Sequence, residues 1–251
     1  MANRITIDPG RGGSMTVDFE RLWLEKLRGG LEVHLGEEAA AEIMAGSESL
    51  TDQTDLAARV EWTRSMIARL EKRAGSEHAR QILLGCACLP SRESLNEARD
   101  AYAATGSIED ARRILERDFR GFLSDTIGLS TSQVEHILSR GMGIAGTLRE
   151  GRIIATKIPK SGKLLEYLEE DDPKRRRALY CHCPRVRHLV GTGEELSRLY
   201  CYCGGGFYRF IWQYVLDSPV EIELLDSVMG EGDVCSFAIT PICSSPADAR
   251  E

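Results

Sequence analysis

The stretch FYRFIWQYVLDSPVEIELLDSVMGEGDVCSFAIT, residues 207–240, changes its hydrophobic period partway along. Phe207, Phe210, Ile211, Tyr214 and Val215 recur at i, i+3, i+4, i+7 and i+8, the spacing of an amphipathic helix. Val220, Ile222 and Leu224 then alternate with Glu221 and Glu223, the period of a half-buried strand. Gly230-Glu231-Gly232-Asp233 has turn chemistry. Val234 to Thr240 alternates again, with Cys235, Phe237 and Ile239 on one face. Helix, strand, turn and strand in this order make an antiparallel sheet.

Upstream of this stretch the first 145 residues read as helices. The clearest runs from about Asp52 to Arg73, with Leu56, Val60, Thr63, Met66, Ile67 and Leu70 at helical spacing and Gly75 as terminator. A short helix from about Glu77 to Leu84 delivers the chain to Cys86 and Cys88, and Pro90 breaks it. Glu93 to Ala104, closed by Gly106, and Ile108 to Phe122, capped by Ser107, follow. Ser132 and Glu135 form a capping-box pattern for a helix ending near Gly141. Near Gly146 the character changes. Arg152 to Ile158 is β-rich, and Leu164 to Leu168 reads as a second strand. The charge run from Glu169 to Arg177, built around Pro173, reads as a solvated loop. The chain is therefore expected to be α+β, a helical region packed on a C-terminal domain with an antiparallel sheet. Its expected divisions are a flexible N-terminus at 1–15, a helical region at 16–145, an α+β metal- and small-molecule-binding domain at 146–241, and a flexible tail at 242–251.

Composition narrows the function. The chain has 251 residues, enough for a sizeable core, and its net charge of -7 argues against a general nucleic-acid binder. No apolar run reaches membrane-spanning length, and the polar N-terminus lacks the apolar stretch of a signal peptide. A cytoplasmic protein is expected, in which thiols stay reduced. That setting gives the cysteines their interest. Six of the eight form three Cys-x-Cys pairs: Cys86 with Cys88, Cys181 with Cys183, and Cys201 with Cys203. Thiols repeated at one spacing point to a metal, a cluster or redox chemistry more than to packing.

The ligand chemistry can be stated in numbers. Zinc holds thiolates at about 2.3 Å, which puts the sulfurs roughly 3.7 Å apart. Two cysteines at i and i+2 on a flat strand lie roughly 6.5 Å apart. One ion can take both only where the backbone bends, and Pro184 and Gly204-Gly205-Gly206 stand where bends are wanted. Six thiolates exceed the need of one ion, so an iron–sulfur cluster competes with zinc. His182, inside the second pair, joins them as an additional ligand if that segment turns, and His188 lies within reach. His34, His78 and His136 read as surface residues, and Cys243 as incidental. Cys235 alternates with Phe237 and Ile239 and reads as a small buried hydrophobe. Glu221 and Glu223 share a strand face, which the solvent side of a sheet explains without chemistry. The glycine triplet ahead of the aromatic helix is a weak anion cradle without a Walker-type lysine, and suits a close backbone approach to a neighbour or a metal. No GxSxG occurs, and Gly141-Met142-Gly143-Ile144-Ala145-Gly146, which has GxGxxG spacing, follows a helix and precedes the β-rich segment, the reverse of the dinucleotide-binding order.

The order of these C-terminal features carries a resemblance. A Cys183-Pro184 segment, a Cys-rich segment opening an aromatic helix, Pro219-Val220-Glu221-Ile222-Glu223, and Gly230-x-Gly232-Asp233-x-Cys235-x-Phe237-x-Ile239 follow in turn. This resembles the C-terminal half of proteins similar to the L-2-amino-thiazoline-4-carboxylic acid hydrolase family. The hairpin from Val220 to Ile239 also looks like 4-vinyl-reductase-type small-molecule-binding domains. The resemblance covers about residues 146–241, with Gly232 to Phe237 its most specific part. It implies an α+β fold with a small-molecule pocket under the sheet, and Cys183, Cys201 or Cys203, and Cys235 match the family's recurrent cysteines. The extra Cys-x-Cys pairing and the Cys86 pair depart from the hydrolase pattern and favour a metal.

Three function classes follow. The first is a sensor or carrier binding zinc or an iron–sulfur cluster through Cys86, Cys88, Cys181, Cys183, Cys201 and Cys203, with Tyr208, Trp212 and Cys235 lining a small-molecule pocket. The second, implied by the resemblance, is a hydrolase acting on carbon–nitrogen bonds of a small cyclic amidine or thiazoline-like acid. The third is a metal-free thiol redox protein. A small-molecule ligand or substrate is the expected partner, with neither nucleic acid nor membrane, and no catalytic residue is assigned.

Overall fold

A computed structural model describes residues 18–159, 161–183, 185–190, 192, 194, 196–230 and 232–242. The expected flexible N-terminus, nearly all of the tail, Cys243 and Pro184 lie outside the described residues. Helices α1 (Phe19–Leu35), α2 (Glu37–Met44) and α3 (Leu56–Leu84) come first. Asp18 caps α1, and Asp52 accepts the next N–H groups, from Phe19 and Glu20, at 2.8 and 3.0 Å. Helix α3 begins at Leu56, the first of the periodic residues, rather than at Asp52. Its cap is Asp55, which accepts from Ala57 and Ala58. The helix loses regular geometry at Gly75, where two helices were expected.

Helices α4 (Asn96–Thr105), α5 (Ile108–Gly121) and α6 (Thr131–Ser139) follow. Ser107 caps α5 as expected. The capping box of α6 is two residues earlier than the sequence suggested. Ser130 and Gln133 close it, because Glu135 is drawn away to Arg120.

Strands β1 (Thr147–Arg149) and β2 (Arg152–Thr156) form a tight hairpin that sequence reading missed. Its two turn residues, Glu150 and Gly151, have φ of 49° and 76°, as a hairpin of matching twist requires. The expected strand at Leu164 to Leu168 is instead helix α7 (Leu164–Glu169), which buries Leu164 and Tyr167 three residues apart. The charge run is also not a loop. Its second half is helix α8 (Pro173–Tyr180), started by Pro173 in its first turn and an Asp172 cap. Helix α9 (Tyr202–Leu216) and strands β3 (Val220–Asp226) and β4 (Ser236–Pro241) complete the fold.

The sheet is wholly antiparallel in the order β1-β2-β4-β3, so the chain is α+β with the helices mostly N-terminal. Strand β4 is central, placing Phe237 opposite Ala155 and Leu224, and Ile239 opposite Ile153 and Ile222. Glu221 and Glu223 are exposed as expected. Glu223 pairs with Arg152 across the sheet, and Glu221 stands 3.7 Å from Arg80.

Two cores result, and each draws on both halves of the chain. One packs α1 to α3 against Val186, Leu189, Tyr200 and Val228. The other packs Tyr208, Ile211, Trp212 and Val215 of α9 on the sheet, with α4 and α5 beside them. Each fully buried large apolar side chain contributes roughly 1.5–3 kcal/mol. The joint between the cores is a contact of backbones. A methyl group on Gly206 of α9 would lie 1.9 Å from the Leu84 carbonyl oxygen at the end of α3. The glycine triplet thus lies inside the helix and serves close approach, not a bend.

This contact sets the sign of a substitution. Alanine normally favours a helix over glycine by about 1 kcal/mol. At Gly206 the overlap with backbone reverses this, and Gly206→Ala is expected to destabilise by about 1–3 kcal/mol in urea unfolding. Gly204→Ala meets the movable Lys157 Nζ at 3.2 Å and is expected to be neutral or stabilising.

Candidate thiol site

The close approach of α3 and α9 brings the end of one helix to the start of the other. Cys86, just past α3, is buried, and its sulfur donates to the Ile82 carbonyl at 3.5 Å. Cys88 is exposed. Between them the Ala87 carbonyl accepts from Lys26 Nζ at 2.8 Å. Cys203 sits in the first turn of α9, where Trp23 Nε1 of α1 donates to its sulfur at 3.4 Å. Cys201 ends the single turn before α9, and its sulfur lies 3.1 Å from the Ser227 hydroxyl.

The second pair leaves α8 in extended backbone. Cys181 caps that helix and is buried. Cys183 Sγ lies 3.1 Å from the Tyr200 hydroxyl. His182 Nε2 sits 2.6 Å from the Ile158 carbonyl oxygen. His34, His78, His136 and His188 are exposed. Cys235 enters from the start of β4. Its sulfur is approached by the Ser227 hydroxyl and the Val228 backbone N–H. Its own N–H donates to the Tyr180 hydroxyl at 3.1 Å, and that hydroxyl donates to the Lys157 carbonyl. Tyr180 therefore fastens α8 to both β2 and β4 beside the thiols.

Electrostatics links the seven described cysteines in a series. Cys86 feels Cys203, which in turn feels Cys183 and Cys88. Cys183 and Cys201 act on Cys181, and Cys235 acts on both Cys181 and Cys201. Burial pushes every shifted thiol up, and each neighbouring thiolate pushes it further. Cys201 is raised to about 12 and Cys203 to about 11, while Cys86, Cys181 and Cys235 are also raised. A helix N-terminus favours thiolate, but at Cys203 burial outweighs it. Lys157 opposes the shift at Cys201, Cys203 and Cys235, and Lys26, Arg185 and Arg209 oppose it at Cys86. These five buried thiols thus stay protonated at neutral pH, with cations acting against the shift at four of them, Cys86, Cys201, Cys203 and Cys235.

The donor set is soft and suits zinc or iron. Its spacing is open. Among the described residues no three His, Cys, Asp or Glu side chains stand close enough together to hold one ion.

Of the expected pocket residues, Tyr208 and Trp212 are buried in the core between α9 and the sheet, and Tyr208 donates to the Gly143 carbonyl at 3.1 Å. Cys235 lies among the thiols. Two surface hollows are found elsewhere. One of about 560 Å³ is lined by Glu166, Glu170, Arg175 and Leu179. The other, of about 310 Å³, is lined by Glu71, Ser197, Arg198, Tyr202 and Leu224.

Sequence reading missed Tyr200, Ser227, Trp23 and the cations. Tyr200 adjoins Cys201 in sequence, but Trp23 and Ser227 carry no local sign of their role. No family model, no curated protein and no solved structure matches the chain.

The raised thiols fix a pH dependence. A group whose folded value lies above its unfolded value stabilises the fold below the unfolded value and loses that contribution as pH rises. Metal-free protein should therefore lose stability from about pH 9, the ordinary thiol value, up to about 12 where Cys201 titrates. Tyr180 and Tyr200, also raised by burial, act in the same direction. Thermal melts of chelator-treated protein between pH 7 and 11 should show Tm falling above pH 9, and Cys201→Val should flatten the fall.

Proposed function

We propose that the chain is a cytoplasmic cysteine-rich protein of sensor or carrier type that binds zinc or an iron–sulfur cluster through its thiols, together with a small molecule. The observation that supports this is the gathering of seven cysteines from segments far apart in sequence, at 86–88, 181–183, 201–203 and 235, into one electrostatically linked series. Ligation requires the sulfurs to close in from their present spacing. The hydrogen bonds that this would break are weak. Cys183, Cys201 and Cys203 are held by single hydrogen bonds to Tyr200, Ser227 and Trp23, each worth about 1 kcal/mol net. Structural zinc sites release about 10–16 kcal/mol. The surrounding cations favour the negative charge that a thiolate-bound metal carries.

The hydrolase and metal-free redox readings both need a thiolate ready to attack at neutral pH. Burial moves Cys86, Cys181, Cys201, Cys203 and Cys235 away from that state, whereas a bound metal brings the positive charge that draws the thiol proton off.

Anaerobically purified protein should carry zinc, or iron with inorganic sulfide and visible absorption. Cys183→Ser and Cys203→Ser should each lower metal content by at least about tenfold, by analogy with the loss of a ligand-supporting group. Because thiolate ligation releases protons, retention should weaken as pH falls. Metal-free protein with all eight thiols titratable would overturn the proposal.

A further inference from the structure

Beside the thiols lies a buried cation with donors to spare. Arg185 follows Cys183 by two residues and is 3% exposed. Its guanidinium stacks on Trp23 of α1, 4.0 Å from the ring centroid, with Trp62 of α3 at 5.8 Å. Trp23 is the residue that donates to Cys203, and its ring packs 5.9 Å from that of Tyr200, the partner of Cys183. Arg185 Nη2 donates to Glu20, which is itself 5% exposed. Arg185 Nε and Nη1 are buried and have no hydrogen-bond partner among the described residues. Glu20 is shared. Arg59 Nη1 reaches it at 3.8 Å, and Arg59 Nε is also buried without a partner.

Arg80 and Arg177 each leave Nε unmet as well, but Arg185 leaves both Nε and Nη1 unmet beside a second guanidinium. Buried charges persist when their charge is balanced and their donors are satisfied. Among the described residues two guanidiniums face one carboxylate, leaving one positive charge and the donor atoms Arg185 Nε, Arg185 Nη1 and Arg59 Nε unmet. What such a site lacks is a monoanion with several acceptor oxygens, which a carboxylate supplies and a neutral amide does not. A phosphate dianion would exceed the charge available.

We propose that Arg185, aided by Arg59, is the anion-binding residue of the small-molecule site, and that the ligand carries a carboxylate held against Trp23 beside Cys183 and Cys203. This names the ligand class of the small-molecule reading above and rests on it. Glu20 holds the guanidinium in place and competes with the ligand for it.

Calorimetric titration of the chelator-treated full chain tests this, using acetate and benzoate as probes, acetamide and benzamide as neutral controls, and phosphate as a third arm. The carboxylates should bind saturably and the amides should not. Glu20→Gln removes the internal competitor and should tighten carboxylate binding at least about tenfold. Arg185→Lys keeps the charge but loses the fork, and should weaken it at least about tenfold. Absence of saturable carboxylate binding in both the unaltered chain and Glu20→Gln overturns the proposal, even if Arg185→Lys does not fold. Unchanged affinity in a folded Arg185→Lys, or phosphate bound in preference, overturns it as well. Metal measured on the same preparation before chelation reads the metal centre separately. Metal without carboxylate binding refutes the Arg185 assignment alone, and carboxylate binding without metal refutes only the metal.

Discussion

The contact of Gly206 with the Leu84 carbonyl holds the molecule's parts in relation to each other. A helix can press its backbone onto another chain's carbonyl only where no side chain intervenes. Gly205 extends the same surface, since a methyl there would lie 2.9 Å from Ile222. Helix α9 is thus fixed at one end between α3 and the sheet. Cys86 and Cys203 become neighbours for that reason, although 117 positions separate them in sequence. The rest of the thiol series is hung from this joint by Tyr200, Ser227 and Tyr180.

Around that joint the chain keeps thiols protonated and cations close. Burial alone would make the region inert, because a buried thiol holds its proton. Lys26, Lys157, Arg185 and Arg209 work in the other direction. The metal-bound thiolates and the ligand carboxylate proposed above would each bring negative charge to these cations, at different parts of the region. The thiols extend from Cys88 to Cys235, whereas the unmatched donors of Arg185 and Arg59 lie together at Glu20.

Local signals were legible where local physics decided the outcome. Ser107 and Gly106 mark the ends of helices because a hydroxyl and a positive φ act within one turn. The alternation of Val220, Ile222 and Leu224 was enough for β3, and Phe237 and Ile239 for β4. The errors have equally specific causes. Leu164 to Leu168 is too short for its period to separate strand from helix. Ser132 and Glu135 matched a pattern that Ser130 and Gln133 match as well, and the choice fell to Arg120, fifteen residues before Glu135. The charge run hid α8 because a polar helix lacks an apolar stripe, and only Asp172 and Pro173 announced its start.

The sequence by itself determined the α+β class, the antiparallel β3–β4 hairpin, the boundary between α4 and α5 and the presence of thiols in pairs. These follow from side-chain period, capping and composition, which act over a few residues. Only the tertiary structure decided that the glycine triplet is a packing surface, that Tyr208 and Trp212 are core, and that Trp23, Tyr200, Ser227 and Arg185 stand around the cysteines. Those relations join positions 20 to 235, and no spacing along a chain encodes which distant side chain will meet which. Their energies come from burial and charge, which exist only once the two cores have closed.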